Sequence, residues 1–218
     1  MAQLVDFSQI FIGSYMSASK FATVDMDVIR PAVLNTLRMY RTKFVSEFGE
    51  LILCCDDRKT WRKDIFPNYK ASRKKTRAAT SIDWDNLYES LNQLKEELIE
   101  WFPYKLVQVE KAEADDIIAV LVELINERSL ILSSDKDFVQ LHGFNVRQYS
   151  PMQKKFVEGD PKWNLHEKII KGDVGDGVPN IMSDDNVFID EGRRQKPITK
   201  KKVDAWYELD PDMYCSSE

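Results

Sequence analysis

An α/β fold, with a mostly parallel central sheet flanked by helices, is the fold class that the sequence predicts. Short, almost uninterrupted apolar runs alternate along the chain with longer segments in which apolar residues recur every three or four positions. Runs of this kind are typical of parallel strands that are covered by helices on both faces. Because 43% of the 218 residues are hydrophobic and 31% are charged, the composition is that of a globular protein with a packed core.

Four apolar runs are predicted to be buried strands, and they comprise residues 3–8, 50–55, 104–109 and 129–134. Asp6, Asp56 and Asp135 lie at the carboxyl ends of three of these runs. The carboxyl ends of parallel strands meet at one edge of a sheet, which is where α/β proteins build their sites. We therefore expect these three carboxylates to lie close together.

Three segments have helical periodicity and are predicted to be amphipathic helices, namely residues 25–48, 84–98 and 114–125. After residue 162 the pattern changes to a short helix, a glycine-rich turn, an acidic insertion and a basic segment. The sequence thus predicts a core over residues 1–160, which includes a basic segment at 58–82, and a small helical region over 161–218.

Several classes of protein are excluded by composition. No apolar stretch approaches the roughly 20 residues that span a bilayer, and the N-terminus lacks a signal-peptide pattern, so we expect a cytoplasmic protein without a membrane partner. The three cysteines, Cys54, Cys55 and Cys215, fit neither a disulfide framework nor a zinc site. Only two histidines occur, His142 and His166, and neither stands beside a serine or cysteine nucleophile motif.

Acidic residues gather at the ends of the predicted elements, in five separate parts of the chain. The candidates are Asp6, Asp56, Glu113, Asp115, Asp116, Asp135, Asp137, Asp173 and Asp176. A single aspartate at such a position is more often a turn former or a helix cap than a ligand, and capping is a serious alternative for the acidic turn at 113–116. That many carboxylates at one sheet edge would repel one another strongly without cations.

Oxygen ligands without histidine or cysteine indicate a hard cation, Mg²⁺ with Mn²⁺ able to substitute. Two such ions about 4 Å apart can activate a water and stabilise the leaving oxygen of a phosphoryl displacement. The acidic pattern therefore indicates metal-assisted hydrolysis of a phosphodiester.

The charge of the chain is segregated, although its net value is only -5. Between residues 58 and 77 the sequence has nine lysines and arginines and one aspartate, Asp64. Cations spaced in this way can follow a nucleic-acid backbone, and the aromatic residues Trp61, Phe66 and Tyr69 can stack on bases. The alternative is a solvated basic loop, which the spacing of Tyr69, Lys70 and Arg73 disfavours.

Eight motifs follow one another along residues 3–181. They are L-V-D-F-S-Q at 4–9, C-C-D at 54–56, W-R-K-D at 61–64, Y-K-A-S-R at 69–73, K-A-E-A-D-D at 111–116, S-S-D-K-D-F-V-Q-L at 133–141, Y-S-P-M at 149–152 and K-G-D-V-G-D at 171–176. In order and spacing they resemble the blocks of the 5′ nuclease family of flap endonucleases and 5′-3′ exonucleases. The resemblance is strongest to the ribonuclease H branch from T-even bacteriophages.

This resemblance implies a role for each candidate. The first metal ion would be held by Asp6, Asp56, Asp115 and Asp135, with Glu113 acting through water. The second would be held by Asp137, Asp173 and Asp176, and Asp116 would belong to the same acidic cluster. Lys70 and Arg73 would reach the scissile phosphate and so count, with Asp115 and Asp135, as catalytic. The nucleic-acid-binding residues would be Arg62, Lys63, Tyr69, Lys70, Arg73, Lys74, Lys75, Lys200, Lys201 and Lys202.

The family also implies the layout of the chain. Residues 58–82 would form an arch through which a single-stranded 5′ end passes, within a nuclease core over 1–160. Residues 161–218 would form a duplex-DNA-binding region that is incomplete relative to longer relatives. The family binds a potassium ion at a helix-turn element, but here an acidic insertion interrupts the turn at 175–181, which argues against that ion.

The function that these observations predict is a Mg²⁺-dependent 5′ nuclease with ribonuclease H activity, which removes primers and flaps in DNA replication. Its substrates would be branched DNA or an RNA-DNA duplex with a 5′ end. Protein partners would be the single-stranded-DNA-binding protein or sliding clamp of a replisome, and the chain would be a monomer in the host cytoplasm. The alternatives are a PIN-type structure-specific ribonuclease, a nonenzymatic DNA-binding module and a magnesium phosphatase.

Overall fold

The computed structural model describes residues 1–19, 24–189 and 193–207, except for the side chains of residues 75 and 76. Six strands form one sheet in the order β3-β2-β1-β4-β5-β6. The strands are β1 (Ala2–Asp6), β2 (Leu51–Cys55), β3 (Lys105–Gln108), β4 (Ser129–Leu132), β5 (Val146–Ser150) and β6 (Lys155–Val157). Strands β1 to β5 are parallel to one another, and β6 is antiparallel to β5. The predicted mostly parallel sheet is confirmed.

Eight α-helices and one 3₁₀-helix accompany the sheet in the described part of the chain. They are α1 (Phe7–Ala18), α2 (Met26–Phe48), α3 (Arg62–Ile65), α4 (Ser72–Ala78), α5 (Trp84–Trp101), α6 (Ala114–Ile125), the 3₁₀-helix Lys136–Gly143, α7 (Pro161–Lys171) and α8 (Lys200–Trp206). The three predicted helices correspond to α2, α5 and α6. None of the described helices has the length and apolarity that a membrane span requires.

Both faces of the sheet are buried, as the uninterrupted apolar runs predicted. On one face Val5, Leu53 and Leu132 pack in a core with α1, α2 and α5. On the other face Leu4 and Ile131 pack in a second core with α6. Because neighbouring residues of a strand point to opposite faces, a strand between two cores is apolar at most of its positions.

Two predicted strands end two residues earlier than the sequence indicated. The run 3–8 ends as a strand at Asp6, because the Asp6 carboxylate accepts the backbone N–H of Gln9 and so begins α1. The run 129–134 ends at Leu132, after which Ser133 and Ser134 form a loop. In both places the chain leaves the sheet where the acidic residues stand.

The chain divides into two compact units. One comprises residues 1–60 and 82–159, and the other comprises residues 61–81 and 160–218. The division near residue 160 is close to the predicted boundary, but most of the basic segment 58–82 groups with the C-terminal unit and not with the core. The reason lies within that unit, where the backbone N–H of Lys70 donates to the carbonyl oxygen of Asp176 at 2.7 Å.

Candidate active site

The first unit brings three predicted carboxylates to one edge of the sheet. Asp6 is the last residue of β1, Asp56 directly follows β2, and Asp135 follows β4 by three residues. Since β2, β1 and β4 are neighbours in the sheet, their carboxyl ends lie side by side. The prediction that these strand ends meet at one edge is confirmed.

Asp6 lies in the most unusual electrostatic environment of the three. It is buried, its Oδ1 accepts the N–H of Gln9 at 3.1 Å, and its Oδ2 accepts the hydroxyl of Ser133 at 3.1 Å. Burial, with a smaller contribution from the charges of Asp56 and Asp135, raises the pKa of Asp6 to about 7, although the two hydrogen bonds lower it. The carboxylates therefore lie near enough to repel one another, and a cation would relieve that repulsion.

Asp56 connects this edge to the N-terminus of α6. Its Oδ1 accepts the backbone N–H of Ala114, the first residue of the helix, at 2.8 Å. The first turn of α6 also contains Asp115 and Asp116, and Glu113 precedes it as the N-cap residue. A helix N-terminus offers backbone donors and the positive end of its dipole, both of which lower the cost of gathering anions.

Part of this acidic turn caps the helix, which was the alternative considered for it. An Oδ of Asp116 accepts the backbone N–H of Glu113 at 2.9 Å, and Glu113 is buried. Asp135 is likewise the N-cap of the 3₁₀-helix, since it accepts the N–H of Asp137 at 2.9 Å. Capping engages Oδ2 of Asp116 and Oδ1 of Asp135.

The chemistry of this set fits a hard divalent cation, because the side chains that converge on the sheet edge offer carboxylate oxygens. Over the described residues, no group of three or more histidine, cysteine, aspartate or glutamate side chains is arranged to hold a metal ion as it stands. The role of these residues as metal ligands therefore stays a prediction.

The second unit brings the predicted phosphate-binding residues together around Asp176. The hydroxyl of Tyr69 donates to Asp176 Oδ2 at 3.0 Å, and a terminal nitrogen of Arg73 donates to Oδ1 at 2.5 Å. The ammonium group of Lys70 lies 3.9 Å from Oδ2. Lys70 also has a φ of 57°, in the left-handed region that few side-chain-bearing residues adopt. These contacts hold three residues of the predicted arch in one cluster.

Asp173 lies in the same unit and is paired with a lysine. Burial alone would raise the pKa of Asp173, but the hydrogen bond from Lys168 and the backbone N–H of Asp176 lower it. Asp173 Oδ1 accepts that N–H at 3.1 Å. Asp173 is thus ionised and hydrogen-bonded, while Asp137, which the family resemblance grouped with it, lies in the first unit.

The remaining predicted nucleic-acid-binding residues are on short helices of the second unit. Arg62 begins α3 and places its guanidinium 4.8 Å from the ring centre of Trp61. Lys63 in α3 and Lys74 in α4 are exposed, whereas the side chain of Lys75 lies outside the described ones. The exposed Lys200, Lys201 and Lys202 form the first turn of α8.

Two residues that the sequence analysis did not identify take part in the first site. The side-chain oxygen of Gln9 accepts the backbone N–H of Ser134 at 2.6 Å, and Gln148 of β5 donates to the carbonyl oxygen of Asp135 at 2.6 Å. Residues 146–150 read V-R-Q-Y-S, a sequence without a pattern that would have drawn attention to Gln148.

Comparison with known proteins identifies the class to which this fold and site belong. Residues 1–169 match the family model of the 5′-3′ exonuclease N-terminal, resolvase-like domain. The chain therefore belongs to the 5′-3′ exonuclease and flap endonuclease family of nucleases, and it is a hydrolase. The sequence-based expectations of family and enzyme class are confirmed.

Individual relatives agree with this assignment. The chain is 34% identical over 216 residues to ribonuclease H of Enterobacteria phage T4, an alignment that covers 93% of this chain and 70% of that protein. It is also 35% identical over 136 residues to DNA polymerase I of Rhizobium leguminosarum, which covers 56% of this chain and only 12% of the polymerase.

A solved structure of the bacteriophage T5 flap endonuclease has the same fold, with a TM-score of 0.70 at 18% identity, covering 98% of this chain and 90% of that one. That enzyme was crystallised with DNA and metal ions. At this identity the likeness establishes the fold alone, and it confirms the predicted fold class.

Proposed function

We propose that this chain is a Mg²⁺-dependent 5′ nuclease that hydrolyses phosphodiesters near the 5′ ends of flap DNA and RNA-DNA duplexes. Removal of primers and flaps during replication in the cytoplasm is the task that we assign to it. The observation that carries the proposal is the convergence of Asp6, Asp56 and Asp135, with a pKa for Asp6 of about 7 that reflects burial and mutual repulsion. Such an arrangement is costly unless cations are bound in the working enzyme.

The residues of the first unit are those that would hold the cation. Asp6, Asp56 and Asp135 offer oxygens at the sheet edge, and Asp115 extends from the first turn of α6, whose N-terminus is hydrogen-bonded to Asp56. A divalent ion would supply activation of water and stabilisation of the charge that develops on the phosphoryl oxygens. Mg²⁺ is favoured over zinc because the donors are oxygens.

The cluster around Asp176 supports a role in binding phosphate. Arg73 presents a guanidinium, which pairs with phosphate through two parallel hydrogen bonds, and Lys70 adds a point charge. Asp176 forms ion pairs with both Lys70 and Arg73. A scissile phosphate would therefore replace the Asp176 carboxylate as their partner. We assign Asp173 and Asp176 to a further cation, which would free Lys70 and Arg73 for the substrate.

Exposed side chains of the second unit would bind single-stranded and duplex nucleic acid. Trp61 is exposed and can stack on a base, and Lys63 and Lys74 can follow the backbone. The lysines of α8 would contact duplex phosphates, so that binding weakens as the salt concentration rises.

Digestion of a 5′-labelled flap and of an RNA-primed duplex, with Mg²⁺ and with EDTA, tests the proposal. The wild type should release short 5′ products only with Mg²⁺, whereas Asp135→Asn should fold normally and release none. Asp85→Asn is the matched control, since Asp85 is an exposed acid in the first turn of α5. Undiminished cleavage in EDTA, or near-normal turnover by Asp135→Asn, would overturn the proposal. Preference for single-stranded RNA over both substrates would indicate the PIN-type ribonuclease instead.

A further inference from the structure

The loop that carries Asp135, residues 133–135, is held by hydrogen bonds to four of its backbone groups. The N–H of Asp135 donates to the hydroxyl of Ser133 at 3.1 Å, and that hydroxyl donates to Asp6. The N–H of Ser134 donates to the side-chain oxygen of Gln9 at 2.6 Å. The carbonyl oxygens of Ser133 and Asp135 both accept from Gln148. The two glutamines come from different elements, α1 and β5.

Gln148 occupies a position where its amide has one possible orientation. The side chain is buried, and its nitrogen lies 2.9 Å from the carbonyl oxygen of Ser133 and 2.6 Å from that of Asp135. Two carbonyl acceptors require both amide hydrogens, so the side-chain oxygen must face His142. His142 Nε2, 3.1 Å away, is therefore the donor of that pair. Every hydrogen-bonding group of the amide is thus satisfied, which locks Gln148 and the two carbonyls that it holds.

Gln9 also contacts the loop that carries Asp135. Its backbone N–H donates to Asp6 Oδ1 at 3.1 Å, while its side-chain oxygen accepts from Ser134. One residue therefore contacts both the carboxylate of Asp6 and the loop that carries Asp135.

We propose that Gln148, assisted by Gln9, is a positioning residue that fixes Asp135 relative to Asp6 and thereby sets the affinity of the carboxylate cluster for its divalent cation. Residues that orient ligands without touching the ion change metal affinity by roughly 10–100-fold when they are replaced, because the ligands must then be ordered at the moment of binding. The inference rests on the proposed metal-dependent function. It concerns residues to which that function assigns no role.

Gln3 offers a matched control for Gln148. It too is a buried glutamine in a parallel strand, and its amide donates to a backbone carbonyl, that of Gly49, at 2.6 Å. Gln3 lies near the start of β1, at the opposite end of the strand from Asp6. Replacement of either glutamine by leucine removes a buried amide from the same sheet, so that a general effect on stability would affect both variants.

The experiment measures Mn²⁺ binding by electron paramagnetic resonance, without substrate, for the wild type, Gln148→Leu, Gln3→Leu and Asp135→Asn. Gln148→Leu should bind Mn²⁺ roughly 10–100-fold more weakly than the wild type, and Gln3→Leu should bind within about twofold of it. Cleavage by Gln148→Leu should recover at high Mg²⁺ concentration. In the metal-free protein, hydrogen exchange over residues 133–137 should rise in Gln148→Leu and not in Gln3→Leu.

Wild-type affinity in Gln148→Leu, or an equal loss in Gln3→Leu, would overturn the positioning role. If Gln148→Leu does not fold, Gln9→Leu replaces a half-buried helix residue and should weaken Mn²⁺ binding in the same direction. A wild type that binds no Mn²⁺, or binds it no better than Asp135→Asn, would instead remove the proposed metal site itself. The two failures are therefore distinguishable.

Discussion

Replacement of Asp6 by asparagine should stabilise the metal-free protein, and the gain should grow with pH. Burial raises the pKa of Asp6 from 3.8 to about 7, against the hydrogen bonds that lower it. A carboxyl group whose pKa is raised by folding holds its proton more tightly in the folded chain, so its ionisation opposes folding. The penalty is absent below pH 3.8, grows as the pH rises, and is complete above about pH 7.

The size of this effect follows from the shift of about 3 pKa units, at about 1.36 kcal/mol for each unit. Ionisation of Asp6 should cost the metal-free protein about 4 kcal/mol at pH 8 and about 2 kcal/mol at pH 5. Asparagine can reproduce the neutral side chain, because its oxygen can accept from Gln9 and its nitrogen can donate to Ser133. The variant should therefore gain these amounts.

Urea unfolding in EDTA at pH 5 and pH 8 measures the free energy of unfolding of both proteins. Asp57→Asn is a control in which the change in stability should have the opposite sign, because the hydrogen bond from the backbone N–H of Lys111 lowers the pKa of Asp57. This control should lose stability by a similar amount at both pH values. A gain for Asp6→Asn that is the same at pH 5 and pH 8, or no gain at pH 8, would refute the reasoning.

Three further predictions concern turnover and stability. Lys70→Ala should lower the turnover of a flap substrate roughly a hundredfold while changing its affinity much less, because the ammonium stabilises charge that develops during the reaction; single-turnover kinetics and a binding titration measure the two, and equal losses would make Lys70 a docking residue. Leu53→Ala should lower the free energy of unfolding by about 3 kcal/mol, since Leu53 is fully buried in β2; a loss below about 1 kcal/mol would contradict its place in the core. Gly172→Ala should lower the melting temperature, because Gly172 has a φ of +64° and a Cβ there would lie 2.2 Å from the carbonyl oxygen of Pro179; an unchanged melting temperature would contradict that geometry.

The elements that the sequence predicted well are those whose pattern is decided locally. Helix α6 has the predicted bounds because an acidic first turn precedes an apolar run, and both signals lie within a few residues. Helix α1 was missed, although Phe7, Ile10, Phe11 and Tyr15 have helical spacing. The apolar run of β1 continues into α1. Only the hydrogen bond from the backbone N–H of Gln9 to Asp6, the N-cap residue, marks the change from strand to helix.

The sequence located the carboxylates of the site but not the residues that support them. Strand ends meet at one edge in any parallel sheet, so Asp6, Asp56 and Asp135 could be identified from their positions alone. The roles of Gln9 and Gln148 depend on contacts with residues more than 120 and about 13 positions away, respectively. An amide side chain has no chemical signature in a sequence that would reveal such contacts.

Contacts between residues far apart in the sequence also decide which unit contains the basic segment. The family resemblance implied that residues 58–82 are an arch within the nuclease core, whereas residues 61–81 form a unit with the C-terminal region. Arg73 and Asp176, which meet in that unit, are 103 positions apart. Neither charge identifies its partner, because the segment has many cations and the chain has many acids.

Anomalous diffraction from crystals soaked in Mn²⁺ tests most directly whether the carboxylate cluster of the first unit is a divalent-cation site. An anomalous peak within coordination distance of the carboxylates of Asp6, Asp56 and Asp135, absent from crystals of Asp135→Asn, is the result expected. A fully active protein whose crystals show no peak beside these side chains, or show it only elsewhere, would contradict the assignment.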